Sequence, residues 1–138
     1  FEAVLELAWS QGRPDPFTAF ERIGRAYLAF ARDESAYYSA MFETGVPLDV
    51  NPDLAAAGDR TLAVLKQAAE AICARLPPER RPPPLMMALH VWSLSHGVAS
   101  LFGRGDAARR KLPMAAEDLL EAGVLVYLQG LGLGARTP

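Results

Sequence analysis

A chain of 138 residues, half of them apolar and fewer than a quarter charged, fits one domain with a single core that needs neither disulfides nor metals to close. Its net charge of -2, with basic residues dispersed apart from Arg80-Arg81 and Arg109-Arg110-Lys111, excludes the basic stripe that nucleic-acid binding requires. No uninterrupted apolar run reaches the roughly 20 residues of a membrane span, and the opening FEAVLELAW lacks a signal peptide's basic flank, which points to a soluble cytoplasmic protein with no membrane partner.

Helix-period patterns broken by Pro, Gly and Asp account for nearly the whole chain, and no stretch alternates as a strand does. The expected fold class is therefore all-α, a single domain of five to six helices over residues 1–138. The first ten residues read as the remainder of a helix that continues upstream. Asp15-Pro16 then offers an N-cap with proline at the first helical position, and Phe20, Ile23, Tyr27 and Phe30 mark one face of a helix ending near Arg32. Asp33 to Ser35 cap a short helix, AYYSAMFE, in which Tyr38, Met41 and Phe42 cluster before a break at Gly45-Val46-Pro47. From about Asp53 a longer helix runs to Leu76, its apolar residues Leu62, Leu65, Ala69 and Ile72 spaced by threes and fours, and Pro77-Pro78 ends it. Cys73 lies in that helix with no Cys or His at metal spacing, and reads as a reduced core thiol.

Pro82-Pro83-Pro84 starts the most informative helix, which carries LHVWSLSHGVASLF at residues 89–102 and no charged residue on any face. Projected at 3.6 residues per turn, Leu85, Leu89, Trp92, His96 and Ala99 form one stripe, and Met87, Val91, Leu94, Val98 and Leu101 a second on nearly the opposite side. His90, Ser93, Gly97 and Ser100 run along one flank between them, and Ala88, Ser95 and Phe102 along the other. A helix apolar all round is buried all round. One small domain seldom covers every side, so one stripe is expected on the core and another on a second subunit or a ligand. Gly97 costs about 1 kcal/mol relative to alanine inside a helix, and beside Ser93 and Ser100 it suggests close approach of another backbone.

The polar stretch GRGDAARRKLP follows, and Pro113 is placed to begin a last helix. Leu119, Leu120, Gly123, Val124, Val126, Tyr127, Gly130 and Leu131 span its apolar arc, opposite Glu117, Asp118, Glu121 and Gln129. The last two long helices carry more apolar surface than the preceding ones can cover. A homodimer in which this pair meets its symmetry mate as a four-helix bundle accommodates it.

Little in the chain points to catalysis. His90 and His96 stand about 120° apart on their helix, so they do not form the i, i+4 pair of a zinc site, and no metal is expected. No G-x-S-x-G elbow accompanies the serines near His96, and no paired catalytic carboxylates stand out. Gly103-Arg104-Gly105 follows a helix, where glycine serves as a C-cap rather than a phosphate cradle. No enzyme activity and no cofactor are expected. Tyr38, Met41, Phe42, Met86, Leu89, Trp92 and His96 suit an adaptable apolar pocket with His96 as polar anchor, and a core Trp beside a satisfied His is the competing reading. The expected dimer face comprises Val91, Leu94, Val98 and Leu101 with Leu119, Gly123, Val126, Tyr127 and Gly130; the projection leaves open which stripe meets which partner.

Tyr38-x-x-Met41-Phe42 after a first amphipathic helix, Trp92-x-x-x-His96-Gly97 in a later apolar helix and a closing apolar helix together resemble the C-terminal regulatory domain of TetR-family transcriptional repressors. The likeness is to the type named for its Trp, His and Gly, and it covers the chain from Phe1 to about Leu133. It implies a bacterial homodimer whose C-terminal domain binds a small, often hydrophobic effector and controls DNA binding by an N-terminal helix-turn-helix head. That head is absent from this chain, so DNA is a partner only through it, and FEAVLELAW corresponds to the helix joining head to body. A helical module that buries a partner's amphipathic helix on the Val91 to Leu101 stripe is the alternative reading.

Overall fold

Six helices form an all-α domain in the computed structural model, which describes residues 1–42, 52–103 and 112–133 apart from the side chains of Met41, Phe42 and Leu54. They are α1 (Glu2–Trp9), α2 (Pro16–Asp33), α3 (Ser35–Phe42), α4 (Pro52–Cys73), α5 (Pro84–Gly103) and α6 (Ala116–Gly130). Single 3-10 turns occupy Ser10–Gly12 and Pro78–Arg80. The break expected at residues 45–47, Glu43, and most of the polar stretch before Pro113 lie outside the described residues.

Local chemistry accounts for the boundaries. Asp15, in extended conformation, accepts hydrogen bonds from the backbone N–H groups of Phe17 and Thr18 at 3.0 Å each, and Pro16 opens α2 where its missing N–H costs nothing. Helix α4 stops at Cys73 rather than Leu76, and Arg81 holds the turn that follows it, donating to Leu76 O at 2.9 Å and Ala74 O at 3.0 Å. Pro84 opens α5, whereas α6 begins at Ala116, three residues beyond the proline expected to open it.

Helix α2 is the axis of the domain and packs on α1, α3, α4, α5 and α6. Its buried residues, Ala19, Phe20, Ile23, Tyr27, Leu28 and Ala31, recur every three or four positions, so one continuous stripe faces the core. Leu5 and Trp9 of α1, and Leu65, Ala68, Ala69 and Ile72 of α4, join that core. Cys73 is buried, its Sγ 3.9 Å from Met87 Sδ, and burial pushes its thiol above the ordinary pKa of 9.0. It therefore stays protonated at neutral pH and packs as a small apolar group.

Helix α5 meets the length and composition of a membrane span over Pro84–Phe102, with mean hydropathy 1.3, which corrects the sequence reading that relied on uninterrupted apolar residues alone. Nor is it buried all round. Met87, Ala88, Val91, Ser95, Val98 and Ala99 enter the core, while Leu85, Met86, Leu89, His90, Ser93, Gly97 and Leu101 are exposed. The core thus receives the flank of Ala88, Ser95 and Phe102, and the His90, Ser93 and Gly97 flank looks outward. The helix is turned by roughly a quarter-turn from an arrangement with one stripe inside and one outside. Both expected stripes straddle its boundary.

Gly24 of α2 lets α6 approach closely: a Cβ there would stand 3.3 Å from Leu120 Cδ2 of α6. Hydrogen bonds from Thr18 and Phe17 hold the Asp15 carboxyl below its ordinary pKa of 3.8, so its cap stabilises the fold above that value and is lost as pH falls through the lowered one. Thermal melts across pH are expected to show Asp15→Ala less stable than wild type at pH 7, with the gap narrowing below about pH 3.8.

Candidate functional site

Tyr27 is 1% exposed, so its hydroxyl must find partners inside the protein. Trp92 Nε1 of α5 donates to Tyr27 Oη at 3.1 Å, Tyr27 Oη lies 2.6 Å from Tyr38 Oη of α3, and Tyr38 Oη lies 2.5 Å from His96 Nδ1, back on α5. The indole can only donate. Directing each following hydrogen the same way sends the Tyr27 proton to Tyr38 and the Tyr38 proton to His96 Nδ1. In that arrangement His96 accepts at Nδ1.

Aromatic packing extends the group toward the start of the chain. Phe1 meets Tyr27 edge-on at 5.2 Å between ring centroids and lies 4.4 Å from Phe30, while Tyr27 meets Tyr38 edge-on at 5.6 Å. Of the expected pocket residues, the structure brings Tyr38, Trp92 and His96 together as one hydrogen-bonded wall. Leu89 joins Trp92 and His96 only at a shallow surface depression that also includes Ser93, and Met86 is 49% exposed on the outward side of α5. Met41 and Phe42 fall in the last turn of α3, but their side chains lie outside the described residues.

The more enclosed cavity lies elsewhere, between α2, α4, α5 and α6, with a volume of about 230 Å³. Phe17, Phe20, Ile23, Gly24, Tyr27 and Leu28 line it from α2, Leu65 from α4, Val91 and Ser95 from α5, and Leu120, Val124, Leu125 and Leu128 from α6. Its walls are mainly apolar, and the Ser95 hydroxyl is turned back onto Val91 O at 2.8 Å. Tyr27 belongs to both features: its ring borders the cavity and its hydroxyl joins the polar chain. The sequence reading marked Tyr27 only as a helix face and missed the α2–α6 wall. Gly24, in the middle of an otherwise amphipathic helix, was the available signal for a close neighbour.

Charged side chains bridge the seam between α2 and α6 at the solvent end. Arg25 donates to Glu121 at 3.2 Å and to Glu21 at 3.4 Å, and Arg32 donates to Glu117 at 2.9 Å. The Glu117 carboxyl is held below its ordinary range by its own backbone N–H near the start of α6 and by the Arg32 guanidinium. It is therefore ionised at neutral pH.

The residues expected at a dimer face divide into three groups. Val91 and Val98 are 6% and 5% exposed and belong to the protomer's own core, because the inward flank of α5 carries them with it. Leu94, Leu119, Gly123 and Tyr127 hold α5 and α6 together within the protomer. A Cβ on Gly123 would stand 3.0 Å from Leu94 Cδ2, Tyr127 Oη is 2.9 Å from His90 Nδ1, and Leu119 packs against the core. Leu101, Val126 and Gly130 remain at the surface, Val126 at 68% exposure, and both Gly130 and Gly97 open onto empty space. Helical projection places Ala122, Val126 and Gly130 of α6 beside the outward flank of α5.

A family model described as Tetracyclin repressor-like, C-terminal domain, matches residues 20–127. The chain belongs to that family. No curated protein and no solved structure matches it.

Removing either hydroxyl should disturb the other's partners. Tyr38→Phe is expected to lower unfolding free energy by about 1–3 kcal/mol, because the buried Tyr27 hydroxyl and His96 Nδ1 each lose a bond. Urea denaturation of Tyr27→Phe, Tyr38→Phe and the double variant should return a coupling energy of about 0.5–3 kcal/mol. Strict additivity would show that the chain is not a connected unit.

Proposed function

We propose that the chain is the effector-binding and dimerisation domain of a TetR-like transcriptional repressor, in which a small apolar or amphipathic effector controls DNA binding by an N-terminal helix-turn-helix head. The observation that carries this reading is a partly open, mainly apolar cavity of about 230 Å³ between α2, α4, α5 and α6 of a chain that belongs to this family. Ligand cavities commonly span about 300–1,000 Å³ and combine apolar walls with few polar groups, so the expected effector is small. It would lie against Phe20, Leu65, Leu120 and Val124 rather than at the surface beside Leu89.

The polar chain then gives the effector a means of being felt elsewhere. A ligand that displaces the Tyr27 ring disturbs the Tyr38 hydroxyl on α3 and the Phe1 ring at the start of α1, the end of the domain that leads toward the head. Coupling of this kind requires that the ligand favour one arrangement over another. Dimerisation would use the outward flank of α5, with Met86, Ser93, Gly97 and Leu101, against α6 with Val126 and Gly130. Open space over both glycines supports close approach of a second copy's helices. The role of a regulator acting on DNA places the whole protein in the cytoplasm.

Two variants test the two halves of the reading. Sedimentation velocity should find the wild type a dimer and Val126→Glu a monomer with unchanged helicity; a monomeric wild type at micromolar concentration would favour the partner-helix module instead. Val124→Trp, which fills the cavity, should abolish binding of 1-octanol in calorimetry while leaving the dimer intact.

A further inference from the structure

The cavity's opening is charged in a way that selects among ligands of equal apolar content. The lining residues include three carboxylates, Glu21, Glu117 and Glu121, against one guanidinium, Arg25. All four lie on α2 and α6, where the seam between those helices meets solvent. Arg25 is shared by Glu21 and Glu121, so it neutralises one carboxylate's worth of charge between two. Arg32 reaches Glu117 from outside the lining; even with it included, the described residues leave the opening one net negative charge. No other ionisable side chain lines the cavity from α4 or α5 among the described residues.

We propose that the cavity takes a cationic amphiphile, its apolar body among Phe20, Leu28, Leu65, Leu120 and Val124 and its ammonium or amidinium head at the Glu21, Glu117 and Glu121 carboxylates. The assignment rests on the ligand cavity proposed above and names the charge of its occupant. An anionic head would face three carboxylates, and the one guanidinium among the described lining residues, Arg25, is already held by two of them. A neutral ligand gains the apolar contacts alone. A cation gains those contacts and the opening's excess charge, because a cleft lined by one sign of charge beside low-dielectric walls focuses its field on the entering group. The head also competes with Arg25 for Glu121, so its arrival loosens the ion pair that joins α2 to α6. The ligand's charge therefore acts on the spacing of the two helices that enclose it.

The volume of about 230 Å³ corresponds to seven or eight water molecules at about 30 Å³ each, enough for the body of a short-chain amphiphile. The test compares octyltrimethylammonium, 1-octanol and octanoate by isothermal titration calorimetry on the wild type, on Glu21→Gln/Glu121→Gln and on Val124→Trp, with helicity checked by circular dichroism. The ammonium should bind about three- to tenfold more tightly than octanol at low salt, with octanoate weakest and the preference fading as salt is added. Glu21→Gln/Glu121→Gln leaves Glu117 against Arg25 at the opening, and should remove the ammonium's advantage over octanol when the two are compared on that same variant. Equal binding of all three ligands, tighter binding of octanoate, or a preference that survives the double substitution would overturn the charge assignment. Loss of octanol binding in Val124→Trp would then show that the cavity reading still stands. Octanol bound as tightly by folded Val124→Trp as by wild type, or no ligand bound by the wild type, would overturn the cavity reading and the charge assignment together.

Discussion

Burying the Tyr27 hydroxyl constrains most of the domain. A phenol taken out of water loses several kilocalories per mole of hydration unless its oxygen and hydrogen are both engaged. Trp92 and Tyr38 engage them, and these partners come from two other helices. The relative placement of α2, α3 and α5 is thereby specified more tightly than apolar packing alone would require, since apolar contacts tolerate sliding and directional hydrogen bonds do not. The same residue presents its ring to the cavity, so the most constrained side chain of the core is also a wall of the candidate binding site.

Helix α6 serves two surfaces at once. One side closes the cavity with Leu120, Val124 and Leu128, and the adjoining carboxylates Glu117 and Glu121 reach across the seam to Arg32 and Arg25. Gly123 and Tyr127 hold it to α5, and Val126 and Gly130 beyond them are left to solvent. A small rotation of α6 would change the cavity, the ion pairs and the outward face together. Gly24 and Gly123 permit the close approach on both sides: each is met by a leucine side chain from the facing helix, at 3.3 and 3.0 Å from where a Cβ would stand. Contacts made through the ends of leucine side chains can adjust by rotamer changes, which suits a helix between a pocket and a subunit face.

Much of the architecture was legible along the chain because its causes are local. Asp15-Pro16 and Pro84 announce helix starts through capping and a fixed φ, and the spacing of Phe20, Ile23 and Tyr27 marks the inward face of α2 without reference to any neighbour. The co-occurrence of Tyr38, Trp92 and His96 in one cluster was also readable, through their resemblance to a known pattern, although their hydrogen bonds were not. Helix α5 resisted the same treatment. With no charge on any side, its sequence carries no strong moment to say which direction is inward, so projection located its stripes but not its rotation.

By itself, the sequence determined the helical class, the order of the helices and the family. Those features depend on periodicity, capping and residue identity. Only the tertiary structure decided that the flank of Ala88, Ser95 and Phe102 turns inward, that Gly123 meets Leu94 of its own protomer, and that a cavity opens between α2 and α6 beside three carboxylates. Each of these is a relation between side chains far apart in the chain. Its geometry is set by how close two helices come and how each is rotated about its own axis, and no local pattern encodes either quantity.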